Sequence, residues 1–176
     1  DEQPHKANLE KIPQLRPAFA EGGTITPANS SSISDGASAL LLASETGMST
    51  HGLTPRARIV GHSRHSLAPE SFTLAPIGAV EKLLAKIGWN ASDVDLWEIN
   101  EAFAMVTMLT TRALSLDPAC VNVHGGACAQ GHPIGSTGSR IIVTLMHALE
   151  HYGKKRGVAA LCIGGGEATA VAIELI

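Results

Sequence analysis

With 176 residues, the chain has the size of one domain with an appendage. A chain this long can bury roughly 70% of its unfolded surface without disulfide staples. Thirteen Lys and Arg stand against sixteen Asp and Glu, a net charge of −3, which excludes a basic field for non-specific nucleic-acid binding. Aromatic residues make up only 3%, too few for a base-stacking platform.

Residues 1–34 read as irregular, because Pro4, Pro13, Pro17, Gly22, Gly23 and Pro27 break any helix before it extends. The Ser-rich stretch Asn29 to Gly36 reads as an ordered loop delivering a helix N-cap, with an apolar helix from Ala37 to Ala43 behind it. From Thr54 the pattern alternates strands and helices. Arg58 to His62 is expected as a short strand. Pro76 to Ile87 has helical apolar spacing and Gly88 as its stop. Val94 to Ile99 should be a strand ending at Asn100, followed by a helix from Ala102 to Leu114 and a brief strand from Val121 to Val123. Pro133 suits the first turn of a helix running to about His151. Gly157 to Ile163 and Ala168 to Ile176 are apolar, β-rich segments separated by a glycine triplet. The expectation is an α/β fold: a mixed five-stranded sheet with helices on its faces. No repeat at a solenoid period is visible.

Charged residues are 16%, against roughly 25% in an ordinary soluble domain, so part of the surface is expected to lie under another subunit or a further part of the chain. Cys120, Cys128 and Cys162 have no disulfide-framework spacing and read as free thiols in a reducing compartment, hence a cytoplasmic location. Apolar runs fall well short of about 18 residues, which argues against a transmembrane helix and a membrane partner. Residues 1–20 contain no apolar signal-peptide core. The first residue is Asp1 rather than Met, an N-terminus expected from processing or truncation.

Asn100, His132 and Cys162 each fall where a strand meets a turn or helix, the junctions at which α/β proteins assemble sites. Ahead of a long helix, the helix dipole would keep His132 neutral and able to serve as a base or oxyanion donor. The plainer reading is a turn histidine bonded to a carbonyl. Cys162 precedes Gly164-Gly165-Gly166, whose backbone N–H groups can approach a ligand closely. The plainer reading there is a small apolar residue in a buried strand, the reading favoured for Cys120 and Cys128. No Gly-Lys-Ser/Thr follows the glycines around 125–138, so a P-loop is not indicated, and Gly-x-Gly-x-x-Gly is absent after any strand. His62 with His65 and His147 with His151 have ligand-like spacings but no His-Glu-x-x-His context, so no metal is assigned. His147 and His151 read as exposed helix face, and Lys154-Lys155-Arg156 as a solvated turn.

Asn100-Glu101-Ala102-Phe103-Ala104, Gly125-Gly126-Ala127, Gly131-His132-Pro133-Ile134-Gly135 and Cys162-Ile163-Gly164-Gly165-Gly166 occur in order. Together they resemble the C-terminal half of the thiolase family, acetyl-CoA acetyltransferase type. Asp1-Glu2-Gln3-Pro4, Lys11-Ile12-Pro13, Leu15 to Phe19 and Asn29 to Gly36 match the same family, so the resemblance covers essentially the whole chain.

The resemblance implies Claisen condensation of two acyl-CoA molecules, or the reverse cleavage of a 3-ketoacyl-CoA. It implies that His132 activates the nucleophilic cysteine and helps line an oxyanion hole. Cys162 would move the proton on and off the α-carbon, Asn100 would position a water in that hole, and the Gly164 N–H would serve the second hole. Ser31 would meet the pantetheine arm of coenzyme A, with Phe72 and Phe103 as apolar walls. Residues 1–53 would end a loop region on the coenzyme A side, and 54–176 would form the C-terminal half-fold. No permanently bound cofactor is implied, since acyl-CoA is the substrate; the implied partners are an N-terminal thiolase half and further copies in a dimer or tetramer.

Ala75, Gln130, Ser136-Thr137 and Glu167-Ala168 depart from the family's common choices, and Gln130 stands beside His132. The family's acylated cysteine belongs to the N-terminal half, and neither Cys120 nor Cys128 has its surroundings. The isolated chain is therefore expected to be inactive. A ketoacyl synthase would not carry the second cysteine before the glycines. Two other readings stay open: a non-catalytic acyl-CoA-binding module on this scaffold, and a half that assembles with a separately encoded partner.

Overall fold

In the computed structural model, which describes residues 2–176, apolar strand segments form a four-stranded mixed sheet. Asp1, which opens the Asp1-Glu2-Gln3-Pro4 match, lies outside the described residues. The strands are β1 (Ala57–Ser66), β2 (Leu96–Ile99), β3 (Arg156–Cys162) and β4 (Glu167–Leu175), in the order β1-β4-β3-β2. β4 pairs antiparallel with both β1 and β3, while β3 and β2 run parallel with Ile99 opposite Ala160. The helices are α1 (Glu2–Lys6), α2 (Glu45–His51), α3 (Ala75–Ile87), α4 (Ala104–Ala113), α5 (Ala127–Gln130) and α6 (Thr137–His151).

The twofold alternation of side chains sorts the sheet into two cores. Val158, Ala160 and Cys162 of β3, with Ala168, Ala170 and Ala172 of β4, pack against Ala75, Ala79, Val80 and Leu83 of α3. On the opposite face Leu96, Ala159 and Ile173 meet Ile141, Leu145, Ala148 and Leu149 of α6. Small residues predominate on the α3 face of β3 and β4, which lets that helix lie close. The sheet is thus covered by helices on both faces, the arrangement that parallel pairing requires.

Two expected elements differ. The fifth strand, Val121 to Val123, shrinks to a single parallel bridge between Trp97 and Val121. Asn122 there takes a left-handed conformation, φ 48°, which turns the chain out of the strand path. The helix expected over 37–43 does not form. That segment is apolar on all sides, so as a helix it would need burial all round, and Leu41 and Leu42 are instead largely exposed. Ser38 is drawn away from any local role by hydrogen bonds to Ser136 and Ser139, each 2.7 Å between hydroxyl oxygens. The helix begins later, at α2, where the Ser44 hydroxyl accepts the Gly47 N–H at 3.1 Å. Pro133 likewise lies upstream of α6: its carbonyl accepts the N–H groups of Ser136 and Thr137, both at 2.8 Å, in the turn that leads into the helix. α1 forms in the stretch expected as irregular and α5 was not expected; the remaining elements fall within a few residues of the expected bounds, apart from β1, which runs on to Ser66.

All four residues of β2 are buried, including Glu98 at 4% exposure. Its neighbour in the α6-facing direction is Leu96, and its Oε1 has no hydrogen-bond partner among the described residues. Burial pushes the carboxyl up from its ordinary 4.5 to about 8, with Glu101 adding to the rise and Arg140 opposing it. Between those values the folded chain holds a proton that the unfolded chain has lost, so stability falls as pH rises through this window. Glu98→Gln is therefore expected to gain stability relative to the parent on going from pH 5 to pH 9. Urea midpoints at the two pH values check this; a parallel pH dependence in both proteins would refute it.

A second prediction concerns the close contact of β3 with α6. A Cβ added at Gly157 would come within 2.8–2.9 Å of three Leu145 side-chain atoms. Gly157→Ala should cost about 1–3 kcal/mol by overpacking, and Leu145→Ala about 2–5 kcal/mol by leaving a cavity. The double variant should be more stable than the sum of these losses, because the new methyl enters the space vacated by leucine. Urea unfolding of the cycle measures the coupling, and strict additivity would show that the two groups do not share that space.

Candidate active site

Parallel pairing brings the C-terminal ends of β2 and β3 side by side, and Asn100 and Cys162 stand at those ends. The Asn100 N–H donates to Ala160 O at 2.9 Å, continuing the ladder by one residue. Asn100 is only 2% exposed, yet neither Oδ1 nor Nδ2 has a hydrogen-bond partner among the described residues. Leaving a buried amide unpaired costs about 1–3 kcal/mol per group, so this side chain is set for a partner other than the fold.

His132 reaches the same edge through a strap formed by residues 30–33. Ser30 bridges Phe103, and Ser31 bonds Ala102 O through both its N–H (3.2 Å) and its hydroxyl (2.9 Å). On the strap's other side, the His132 N–H donates to Ser32 O at 2.9 Å and Ile33 bridges His132. The strap thus ties the residues just after Asn100 to the turn that carries His132.

The tautomer of His132 follows from its neighbour. The Thr137 hydroxyl lies 2.7 Å from His132 Nδ1 and 3.0 Å from Pro133 O; in the pairing in which it donates to Pro133 O, it accepts from His132 Nδ1–H. Nε2 is then left with a free lone pair, the form a general base needs. Burial, and after it the positive charge of Arg140, hold the imidazole below its ordinary pKa. Cys162 is buried on the α3 side, and burial pushes its thiol pKa up, opposed by a backbone hydrogen bond. The resting site therefore contains a neutral imidazole and a protonated thiol.

Behind Cys162 the chain turns sharply: Ile163 N–H donates to Glu167 O at 2.7 Å and Gly166 N–H to Ile163 O at 3.1 Å. Gly166 has φ 105°, and a Cβ there would strike the backbone of Leu67 and Pro69, so glycine is required. A Cβ built at Gly164 would meet nothing within 4 Å, which leaves its backbone facing open space.

Phe72, on the 3₁₀ turn Pro69–Leu74, meets Phe103 edge-on at 6.2 Å between ring centroids. Phe103 also meets Phe19 at 5.7 Å. Phe19 was not among the expected site residues; only the fold brings it here across more than eighty positions, and it is mostly exposed. Thr137, Asn122 and Arg140 also act on the site without having been singled out as site residues. Thr137 alone carried a readable signal, a hydroxyl one helical turn past the proline that follows the histidine. Gln130, which departs from the family's usual residue, accepts from Arg140 Nη1 at 2.7 Å and donates to His124 O at 2.9 Å. It braces the loop ahead of His132 rather than packing on the imidazole.

His147 is 3.6 Å from Glu150 on the exposed face of α6, and His151 packs with His124 and Tyr152. Among the described residues no group of three or more His, Cys, Asp or Glu side chains could hold a metal ion, and no helix is long and apolar enough to cross a membrane. An apolar groove of about 720 Å³, lined by none of Asn100, His132 and Cys162, lies between Leu40 to Leu42 and the Ile142 and Met146 face of α6.

Known proteins are similar to this chain in sequence and fold. The chain is 51% identical to a probable acetyl-CoA acetyltransferase of Dictyostelium discoideum over 174 residues, covering 99% of this chain and 42% of that protein. It is 48% identical to the cytosolic acetyl-CoA acetyltransferase of Mus musculus, covering 99% of this chain and 45% of that one. The crystal structure of Acat5 thiolase from Ascaris suum in complex with coenzyme A superposes with a TM-score of 0.90 at 42% identity, covering 100% of this chain and 46% of that one. The chain thus spans less than half the length of these relatives. The family model "Thiolase, C-terminal domain" matches residues 53–175, and "Thiolase, N-terminal domain" matches residues 1–46. The chain belongs to the thiolase family.

Proposed function

We propose that this chain supplies the base, oxyanion and second-cysteine side of an acyl-CoA acyltransferase. The complete protein would join two acetyl-CoA molecules into acetoacetyl-CoA and free coenzyme A, and run the reverse cleavage. The observation that carries this reading is the buried, unpaired amide of Asn100 at the strand end beside the one bearing Cys162. The names of the Dictyostelium and mouse relatives, and the coenzyme A complex of the Ascaris thiolase, support the substrate class. The mouse relative's cytosolic description supports a cytoplasmic location.

In this reading His132 Nε2 takes the proton of a cysteine provided by the N-terminal thiolase half, and the acyl group passes from its coenzyme A to that sulfur. Cys162 rests as a thiol. In condensation it gives its proton to the departing coenzyme A thiolate and, as a thiolate, removes one from the α-carbon of the second acetyl-CoA. The enolate oxygen that forms is held by His132 and by a water on Asn100, while the Gly164 N–H faces the carbonyl oxygen of the acyl-enzyme. The enolate carbon attacks that carbonyl, and collapse releases acetoacetyl-CoA and the N-terminal cysteine thiolate, which takes its proton back from His132. Ser31 and the Phe72–Phe103 pair would guide the pantetheine arm, with Phe19 beside them.

Residues 1–53 would belong to the coenzyme A side and 54–176 to the half-fold. The exposed Leu41, Leu42 and Ile134 support coverage by the N-terminal half, and the whole would assemble as a dimer or tetramer. No cofactor beyond the coenzyme A thioesters enters these steps.

The 176-residue chain alone should give no thiolysis of acetoacetyl-CoA. Co-expressed with residues of the Dictyostelium relative that precede the match, it should turn over, and Asn100→Ala should lower kcat by about 10²–10³, the loss typical of one oxyanion donor. Cys162→Ala and His132→Ala should lower it at least as far. Ordinary turnover by the isolated chain would overturn the division of labour, and undiminished condensation by Cys162→Ala would favour an acyl-CoA-binding module instead.

The tautomer gives a separate test by ¹⁵N NMR. His132 should titrate below the ordinary imidazole range, with the proton on Nδ1 at neutral pH. Thr137→Val should shift that proton toward Nε2. An Nε2–H signature in the parent would remove His132 as the base.

A further inference from the structure

We propose that Glu101 is a positioning residue whose carboxylate clamps the Asn100 end of β2 to the loop that delivers His132. One oxygen accepts Asn122 Nδ2–H at 3.1 Å, and the other accepts the Cys128 N–H at 3.1 Å. The proposal rests on the roles given above to Asn100 and His132, but the geometry of the clamp stands apart from them.

The first jaw is Asn122. β2 is the last strand of the sheet, and among the described residues the only bridge beyond it is Trp97–Val121. Asn122, held at φ 48°, completes that edge with its side chain: Oδ1 accepts the Ile99 N–H at 2.8 Å and Nδ2 donates to Ile99 O at 2.9 Å. Its own N–H donates to Trp97 O at 2.8 Å. A single asparagine thus supplies the hydrogen bonds of a missing strand, immediately before Asn100.

The second jaw is α5. Cys128 lies in this one-turn helix, closed by Gln130 N–H to Gly126 O at 3.0 Å and Gly131 N–H to Ala127 O at 2.8 Å. Fixing the Cys128 N–H therefore fixes Gly131, and His132 follows directly. Gly126 is pressed against the clamp: a Cβ there would collide with all three atoms of the Glu101 carboxylate.

Both partners of Glu101 are donors, so the position calls for a group that only accepts. An ionised carboxylate meets that need and an amide does not, because its NH₂ would face one of the two donors. The same negative charge leaves a mark on the cysteine: after burial, Glu101 is the main cause of a Cys128 thiol pKa pushed up to about 12.

The test uses the 176-residue chain and Glu101→Gln. Amide exchange at Cys128 should accelerate about tenfold or more on loss of its charge-assisted bond. Alkylation of Cys128 by iodoacetamide should become faster as its thiol pKa falls, and the His132 ring resonances should shift. Exchange at Leu145 and Leu149 should stay unchanged, which separates a local clamp from general loosening. Gly126→Ala, whose methyl would collide with the carboxylate, should reproduce the Cys128 and His132 effects. A folded Glu101→Gln chain with unaltered Cys128 exchange and His132 resonances would overturn the proposal. Should that variant not fold, the parent protein decides: a Cys128 amide exchanging as fast as an unprotected loop amide would overturn it equally. None of these readouts depends on turnover, so they can fail while the catalytic reading stands, and the reverse.

Discussion

Parallel pairing of β2 with β3, Ile99 opposite Ala160, sets where Asn100 and Cys162 stand, and the rest of the site is tied to that edge. Two parallel strands end on the same edge, so the residues that follow them are neighbours however far apart they lie in the chain. That is why Asn100 and Cys162, separated by more than sixty positions, stand at neighbouring strand ends. The pairing is possible only because both faces of the two strands are covered, by α3 on one side and α6 on the other.

The same edge carries an energetic burden. β2 is short and terminal in the sheet, and it holds a buried carboxyl at Glu98 and an unpaired buried amide at Asn100. Its stability comes from outside the strand: helix packing on Trp97 and Ile99, and the side-chain amide of Asn122 on the Ile99 backbone. The strap at residues 30–33 and the Glu101 carboxylate then join this strand end to the His132 turn by two independent routes. Redundancy of this kind suits the role proposed for His132, whose ring must keep its orientation while it gains and loses a proton.

Much of the fold could be read from residue patterns. α3, with period-3.6 apolar positions and a glycine stop, and the two C-terminal strands with their glycine triplet, formed close to their expected bounds because local preference and burial agree there. The helix expected at 37–43 and the strand at 121–123 failed for opposite reasons. In the first, uniform apolarity gave no face to bury, and Ser38 found tertiary partners. In the second, β-favouring valines flank an asparagine that adopts φ 48° and uses its side chain in place of the backbone.

The sequence by itself determined the family, through motifs whose residue types and order are local properties of the chain, and it determined the alternation of strands and helices that makes an α/β fold. Only the tertiary structure decided how the site is held. The tautomer of His132 is tied to a hydroxyl that lies between Nδ1 and Pro133 O. Phe19 joins Phe103, and Glu101 spans Asn122 and Cys128, across separations that no periodicity encodes. Hydrogen-bond direction and charge burial are set by which groups meet in space, and that is fixed when the sheet closes.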